Sequence, residues 1–260
     1  MNAVLNDIAD IMTSEGVNVW GAGSSKPMEA EYPGYRPSDL VPGARSLVCF
    51  GIPVPRGIFD QKRHVVESNW MTQNLNYRKL DSLSVRLAAQ LEEKGDRAVP
   101  VFGCLPFELR GLAWARRSLS VSVAGYLNQI RMGETTGIGT RGRNGALFHP
   151  RYGSRLMLGG VVTTAVLPPK VEPGAVETGC PPGCRQCVDA CPIGAIRPEE
   201  KTVDIPACIG YTSRTPLVPK LRFFLLSLFS REKAGRLMNQ TGFYEHTLHV
   251  CSRCVSACPH

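Results

Sequence analysis

The stretch CPPGCRQCVDACP, Cys180–Pro192, decides how this 260-residue chain is organised, together with CSRCVSACP at Cys251–Pro259 and a solitary Cys208 between them. Eight of the ten cysteines fall from residue 180 onward. Eight thiolates supply two 4Fe-4S clusters with four soft ligands each. In a CxxCxxxCP run the cysteine before proline crosses to the neighbouring cluster, which assigns Cys180, Cys184, Cys187 and Cys258 to one cluster. Cys191, Cys208, Cys251 and Cys254 then make the other. The same eight cysteines could close two tetrahedral zinc sites, and disulfides would need an oxidising compartment. Two CP tails and the small-residue turn Gly194-Ala195-Ile196 favour clusters.

The opening residues, Met1–Glu15, read as an amphipathic helix with Leu5, Ile8 and Met12 on one face and three acids. They lack the basic start and apolar run of a secretory segment, so a cytoplasmic, oxygen-sensitive protein is expected. Hydrophobic residues at 43% suffice for an ordinary core. No stretch is long and apolar enough to span a bilayer, and LRFFLLSLF (Leu221–Phe229) reads as a helix packed on the cluster region. The formal charge of +8 overstates the basic character, because thiolates and cluster cores together bring the loaded protein to about +4. Between Leu109 and Arg155, Arg110, Arg116, Arg117, Arg131, Arg141, Arg143, Arg151 and Arg155 face the single acid Glu134. That segment either meets something anionic or is a solvated face.

Strands are expected over Val17–Ala22, Ser46–Ile52, Arg97–Phe102 and Arg155–Leu167, and helices over Asn76–Lys94 and Pro106–Ser118. Leu147-Phe148 should pair with the strand beyond the turn Pro150–Gly153. The composition changes abruptly across Pro168–Thr178, which divides the chain into residues 1–170 and 171–260. Four cysteines per cluster leave no open iron position, so the clusters carry single electrons and the front domain must hold their acceptor. Gly137-Ile138-Gly139-Thr140-Arg141-Gly142 is literally GxGxxG, but no clear strand precedes it and no helix comes after it, which makes it weak as a dinucleotide fingerprint. Cys49 and Cys104 read as small buried hydrophobes.

GIGTRGRNGALFHPRYGSRLMLGGVVTTAVLPP (Gly137–Pro169), followed by the cysteine pattern with Cys208 in CIGYTSR, resembles the corrinoid-dependent iron-sulfur reductases that include epoxyqueuosine reductases and reductive dehalogenases. Pro37–Val54 and Asn76–Gly95 look like that family's early strand and the helix before its substrate pocket. The resemblance implies an α/β fold, more closely α+β and nitroreductase-like, that binds cobalamin without a protein ligand to cobalt. A C-terminal bacterial ferredoxin-like domain with two 4Fe-4S clusters stands beside it. Gly137, Gly139 and Gly142 would let backbone approach the corrinoid, and Arg141, Arg143 and Asn144 would meet its phosphate or an anionic substrate. On the plainer alternative, Arg143 and Asn144 are turn and surface residues.

Tyr77 falls where dehalogenases carry a tyrosine proton donor, or is an ordinary half-buried tyrosine. Epoxyqueuosine reductases carry an aspartate general acid after the next strand, whereas Val101–Pro106 holds no acid and leaves Cys104 or Tyr77 to substitute. For that reason, and because the chain stops at His260, tRNA is not expected as a partner. No membrane partner is expected either, and Arg116-Arg117 lies too deep to be the twin-arginine export signal that respiratory dehalogenases carry. The expected partners are an external electron donor, ferredoxin or flavodoxin, and a small or medium substrate that loses oxygen or halide by reduction. The alternative is an electron-transfer or corrinoid-reducing protein with no substrate of its own.

Overall fold

A computed structural model describes residues 3–31, 33–103, 127–171, 179–204, 207–208, 211, 213–214, 217–230, 233, 248–249 and 251–259. The expected helix Pro106–Ser118, Cys104, Arg110, Arg116 and Arg117 lie outside these residues. The first helix, α1, runs Ala3–Ser14 and buries Ile8, Ile11 and Met12. Strands β1 (Val19–Ser24), β2 (Ser46–Pro53), β3 (Ala98–Val101) and β6 (Leu156–Thr163) form one four-stranded sheet in the order β1-β2-β6-β3. Every pairing in it is antiparallel. The mixed α/β content is therefore of the α+β kind, with no parallel crossover in the described sheet.

Both faces of the sheet are covered, which is why β6 reads as an unbroken apolar run with all eight residues buried. On one face Val48, Phe50, Met157 and Val161 pack with α1 and with α3 (Val65–Glu93). On the other Leu47, Cys49, Leu158 and Val162 pack with Met132 of α4 (Gln129–Thr135). A short helix α2, Pro37–Leu40, leads into β2. Leu80, Leu83, Leu87 and Leu91 of α3 are all buried, and each such burial contributes about 1.5–3 kcal/mol relative to exposure.

Gly159-Gly160 at the centre of β6 lets the two layers close. A Cβ on Gly159 would stand 3.1 Å from the Phe50 ring and 3.2 Å from Leu80 Cβ, on the α3 side. One on Gly160 would stand 2.4 Å from the Val48 carbonyl and 2.5 Å from Met132 Cε, on the α4 side. Pro100 sits in β3, an edge strand, where its missing N–H is tolerated.

Three expectations change. Helix α3 begins at Val65, eleven residues earlier than its apolar stripe suggests, because Met71 and Leu75 in its first half are solvent-exposed and give no buried period. Leu147-Phe148 (β5) pairs with Thr140-Arg141 (β4), not with β6, so the glycine-rich segment is a β-hairpin placed directly after α4. The apolar run lies in a helix, Leu217–Phe229, with Leu221, Phe224, Leu225, Leu228 and Phe229 exposed to solvent. Among the described residues, no helix is long and apolar enough to cross a membrane.

Candidate cluster site

One end of the sheet gathers segments from three of its strands. Val54–Arg56 come after β2, Ser154-Arg155 precede β6, and Phe102-Gly103 come after β3. The cysteine-rich tail docks there: the Arg56 guanidinium donates from Nη1 to the Cys258 carbonyl at 3.0 Å, across 202 residues of sequence.

Cys180, Cys184, Cys187 and Cys258 line one cavity, the four residues that the crossing rule assigns to one cluster. Its remaining wall includes Asn144, Phe148 and Ser154 from the front of the chain. Cys187 is held high by burial and by the thiolates of Cys180 and Cys184. The other four cysteines meet next door. Burial, with Cys208, Cys251, Cys187 and Cys191 as charged neighbours, pushes Cys254 up to about 12. Helix α5 (Gln186–Asp189), which carries Cys187, packs on a matching short helix, Arg253–Ser256, which carries Cys254.

The described cysteines are all free thiols. Among the described residues no three His, Cys, Asp or Glu side chains converge on a point that a single metal ion could occupy. The four thiols instead surround a space, which is the arrangement a polynuclear cluster fills. Backbone donors reach the sulfurs, as they do around clusters: Arg143 N–H to Cys180 Sγ and Ala195 N–H to Cys191 Sγ, both at 3.3 Å.

The glycine-rich segment supplies the wall of this cavity. Gly142 N–H donates to Ala146 O at 2.8 Å and Gly145 N–H to Gly142 O at 3.0 Å, closing the hairpin between β4 and β5. Gly139 must be glycine for that closure, since a Cβ there would lie 2.5 Å from the Phe148 carbonyl and 2.9 Å from Leu147 Cγ. Gly137 takes φ +77 as it leaves α4. Asn144 is buried and its Oδ1 accepts from Ala146 N–H at 3.2 Å. These positions shape the hairpin, and no strand-turn-helix frame for a dinucleotide surrounds them. The Nε atoms of Arg141 and Arg143 are buried without a hydrogen-bond partner, as are Thr140 Oγ1 and Ser154 Oγ. Unmade donors of this kind on a basic hairpin suit an anionic group.

The arginine-rich segment is not one uniform face. Arg131 lies near Glu31 and Glu134, at 4.0 and 3.7 Å, and Arg151 stacks over Tyr152. Arg155 is buried with Nη1 donating to Val54 O at 2.6 Å. Burial first, then Arg56, lowers its pKa, while the Cys258 thiolate opposes them. Sequence reasoning passed over Ser154 and Arg56, which carry no periodicity or motif and become visible only through their neighbours.

Tyr77 is partly buried on α3, against the α1/α3 core, with its ring 2.9 Å from where a Gly103 Cβ would stand. One turn further on, Asp81 Oδ1 accepts the Gly103 N–H at 2.7 Å. A carboxylate thus reaches the end of β3 from the helix, at a place where the strand's own continuation, Val101–Pro106, has none. Cys49 is fully buried in the α4-side core, and burial pushes its thiol up to about 12.

No protein-family model matches the chain. Over 144 residues it is 29% identical to an epoxyqueuosine reductase of Listeria monocytogenes, covering 55% of this chain and 32% of that one. Over 253 residues it is 24% identical to a tetrachloroethene reductive dehalogenase of Desulfitobacterium hafniense, covering 97% of this chain and 38% of that one. The chain thus spans about a third of the length of these relatives. Among solved structures, epoxyqueuosine reductase with a tRNA-Tyr epoxyqueuosine-modified stem loop superposes with a TM-score of 0.60 at 20% identity, over 98% of this chain and 64% of that one. A reductive dehalogenase described in terms of B12-dependent dehalogenation superposes with a TM-score of 0.51 at 15% identity, over 92% of this chain and 36% of that one.

The first of these structures overturns the expectation that tRNA is no partner, since a protein of this fold is seen with a tRNA stem loop. The exclusion had rested on an acid missing from Val101–Pro106, but half of that stretch lies outside the described residues and Asp81 brings a carboxylate to Gly103. It had also rested on where the chain ends, which says nothing about a surface formed elsewhere. In sequence and in fold, then, this chain is a homologue of proteins named epoxyqueuosine reductase and reductive dehalogenase.

Proposed function

We propose that this chain is an oxidoreductase that passes electrons through two 4Fe-4S clusters to a cobalamin held by residues 1–170, for the reductive removal of oxygen or halide from a substrate. The observation that carries the reading is the gathering of Cys180, Cys184, Cys187 and Cys258 around one cavity against the glycine hairpin. Residues 171–260 act as a ferredoxin-like unit, supported by the paired short helices that carry Cys187 and Cys254. When bound, the clusters relay single electrons and the corrinoid supplies the low-potential centre that reduces substrate. Electrons enter from an external ferredoxin or flavodoxin in a reducing compartment, the cytoplasm.

The chain's own residues do the rest. The eight cysteines hold the clusters, the hairpin from Thr140 to Phe148 closes over the first of them, and Arg141 and Arg143 present cationic side chains to an anionic cofactor or substrate group. Tyr77 supplies a proton beside Gly103, and Asp81 pins the Gly103 amide that sets the floor beneath the tyrosine ring. RNA belongs among the substrates to be assayed, because a homologous fold binds a tRNA stem loop.

The test is anaerobic purification with iron, cobalt and visible spectrum measured together after reconstitution with cobalamin. About eight irons per chain and retained corrinoid are expected, with Tyr77→Phe keeping both and losing turnover. Zinc in place of iron, or corrinoid that washes off, refutes the reading.

A further inference from the structure

We propose that Ser154 donates an O–H···S hydrogen bond to the cluster held by Cys180, Cys184, Cys187 and Cys258, and so raises that cluster's reduction potential above that of its neighbour. The inference rests on the two-cluster reading and adds a direction to it.

Ser154 is 6% exposed, lines the cavity walled by those four cysteines, and its Oγ is buried without a partner. A buried hydroxyl left unbonded is destabilising, so its place in this wall calls for an acceptor inside the cavity. Cluster and thiolate sulfurs are acceptors. The backbone on either side of the serine is held in place. On one side His149 N–H donates to Gly153 O at 2.9 Å and Gly153 N–H to His149 O at 2.7 Å. On the other, the Val54 N–H donates to Arg155 O at 2.8 Å and the Arg155 guanidinium donates back to Val54 O at 2.6 Å. Asn144, whose carbonyl oxygen is occupied by Ala146 N–H, leaves its amide NH2 as a second donor on the same wall. Around the second quartet, the described residues include the backbone donor Ala195 N–H and no buried hydroxyl lacking a partner.

The redox step moves one electron. The external ferredoxin or flavodoxin is oxidised by one electron, the cluster core goes from 2+ to 1+, and the proton stays on Ser154. Reduction makes the sulfurs more negative and the hydrogen bond stronger, so the donor favours the reduced state. Electrons then run downhill from the quartet of Cys191, Cys208, Cys251 and Cys254 to the one beside the front domain.

The experiment is an anaerobic redox titration of the full, cluster-loaded chain, monitored by EPR, with iron counted first. In Ser154→Ala the reduced-to-oxidised ratio of one cluster at a fixed potential should fall about three- to tenfold, on a scale of 59 mV per tenfold for one electron. The other cluster should not move, and Ser154→Thr should restore the wild-type value. Unchanged potentials at full iron, or a threonine variant that behaves like alanine, overturn the proposal. Should Ser154→Ala fail to load, Ser154→Thr and Ser154→Val are near-isosteric and differ in the hydroxyl, and equal potentials in that pair overturn it too. Wild-type protein without iron refutes the two-cluster reading itself and takes this inference with it, before any potential is measured.

Discussion

Cys258 and Cys254 lie four residues apart and meet opposite surroundings. The Cys258 carbonyl receives the Arg56 guanidinium, and the buried Arg155 feels its thiolate. Cys254 sits half-buried among other thiols, and desolvation and crowding push it up to about 12. One quartet therefore borrows a cation and hydrogen-bond donors from the front of the chain, while the other takes a backbone donor, Ala195 N–H, from its own cysteine-rich segment. Charge compensation of this kind sets cluster potentials. The difference teaches that two quartets drawn largely from the same pair of CxxCxxxCP runs are made unequal by the fold that one quartet touches.

The harshest way to break the comparison is to remove a ligand from one side. Cys258→Ala should lower iron from about eight to about four per chain and leave the EPR signal of the second cluster in place; loss of both signals would show that the quartets do not assemble independently. Next in size is Gly139→Ala, whose Cβ would collide with the Phe148 carbonyl. Overpacking of this kind costs about 1–3 kcal/mol, and it should loosen the hairpin, speeding chelator removal of the first cluster relative to the second. Arg56→Met sharpens the contrast more gently. Taking the cation from beside Cys258 should lower the potential of the first cluster a few-fold in redox ratio and leave the second unmoved.

The smallest effect lies in the front domain and separates its behaviour from the tail. The Cys49 thiol is raised from 9.0 to about 12 by burial, so the folded state holds its proton where the unfolded state has released it. The stability this contributes is present below about pH 9 and fades as pH rises toward 12, because unfolding releases a proton over that window. Urea midpoints of the wild type should fall between pH 8 and pH 10.5 more than those of Cys49→Val, and equal slopes would remove Cys49 as the cause.

Much of the sheet was legible because burial leaves a period or a run. Ser46–Pro53 and Leu156–Thr163 are apolar along their length, and both turn out to be central strands. Helix α3 was legible only from Leu80 on, where leucines repeat toward the core; its first turns carry exposed Met71 and Leu75 and offer no such signal. Helix α4 was missed, since its seven residues are too few to display a period. The pairing of β5 was misassigned because a two-residue strand is too short to distinguish a partner on its N-terminal side from one on its C-terminal side.

The amino-acid sequence by itself determined the spacing of the eight cysteines, on which the proposed ligand set and its crossing rest, since cysteine spacing is local chemistry. It also determined where the glycines cluster, Gly137–Gly145, but their folding into the hairpin between β4 and β5 emerged only from the strand pairing. Only the tertiary structure decided what stands around the two quartets. Ser154, Arg56 and Asp81 acquire their significance from partners far along the chain, and contacts at such separation depend on how the layers pack, which no local pattern encodes.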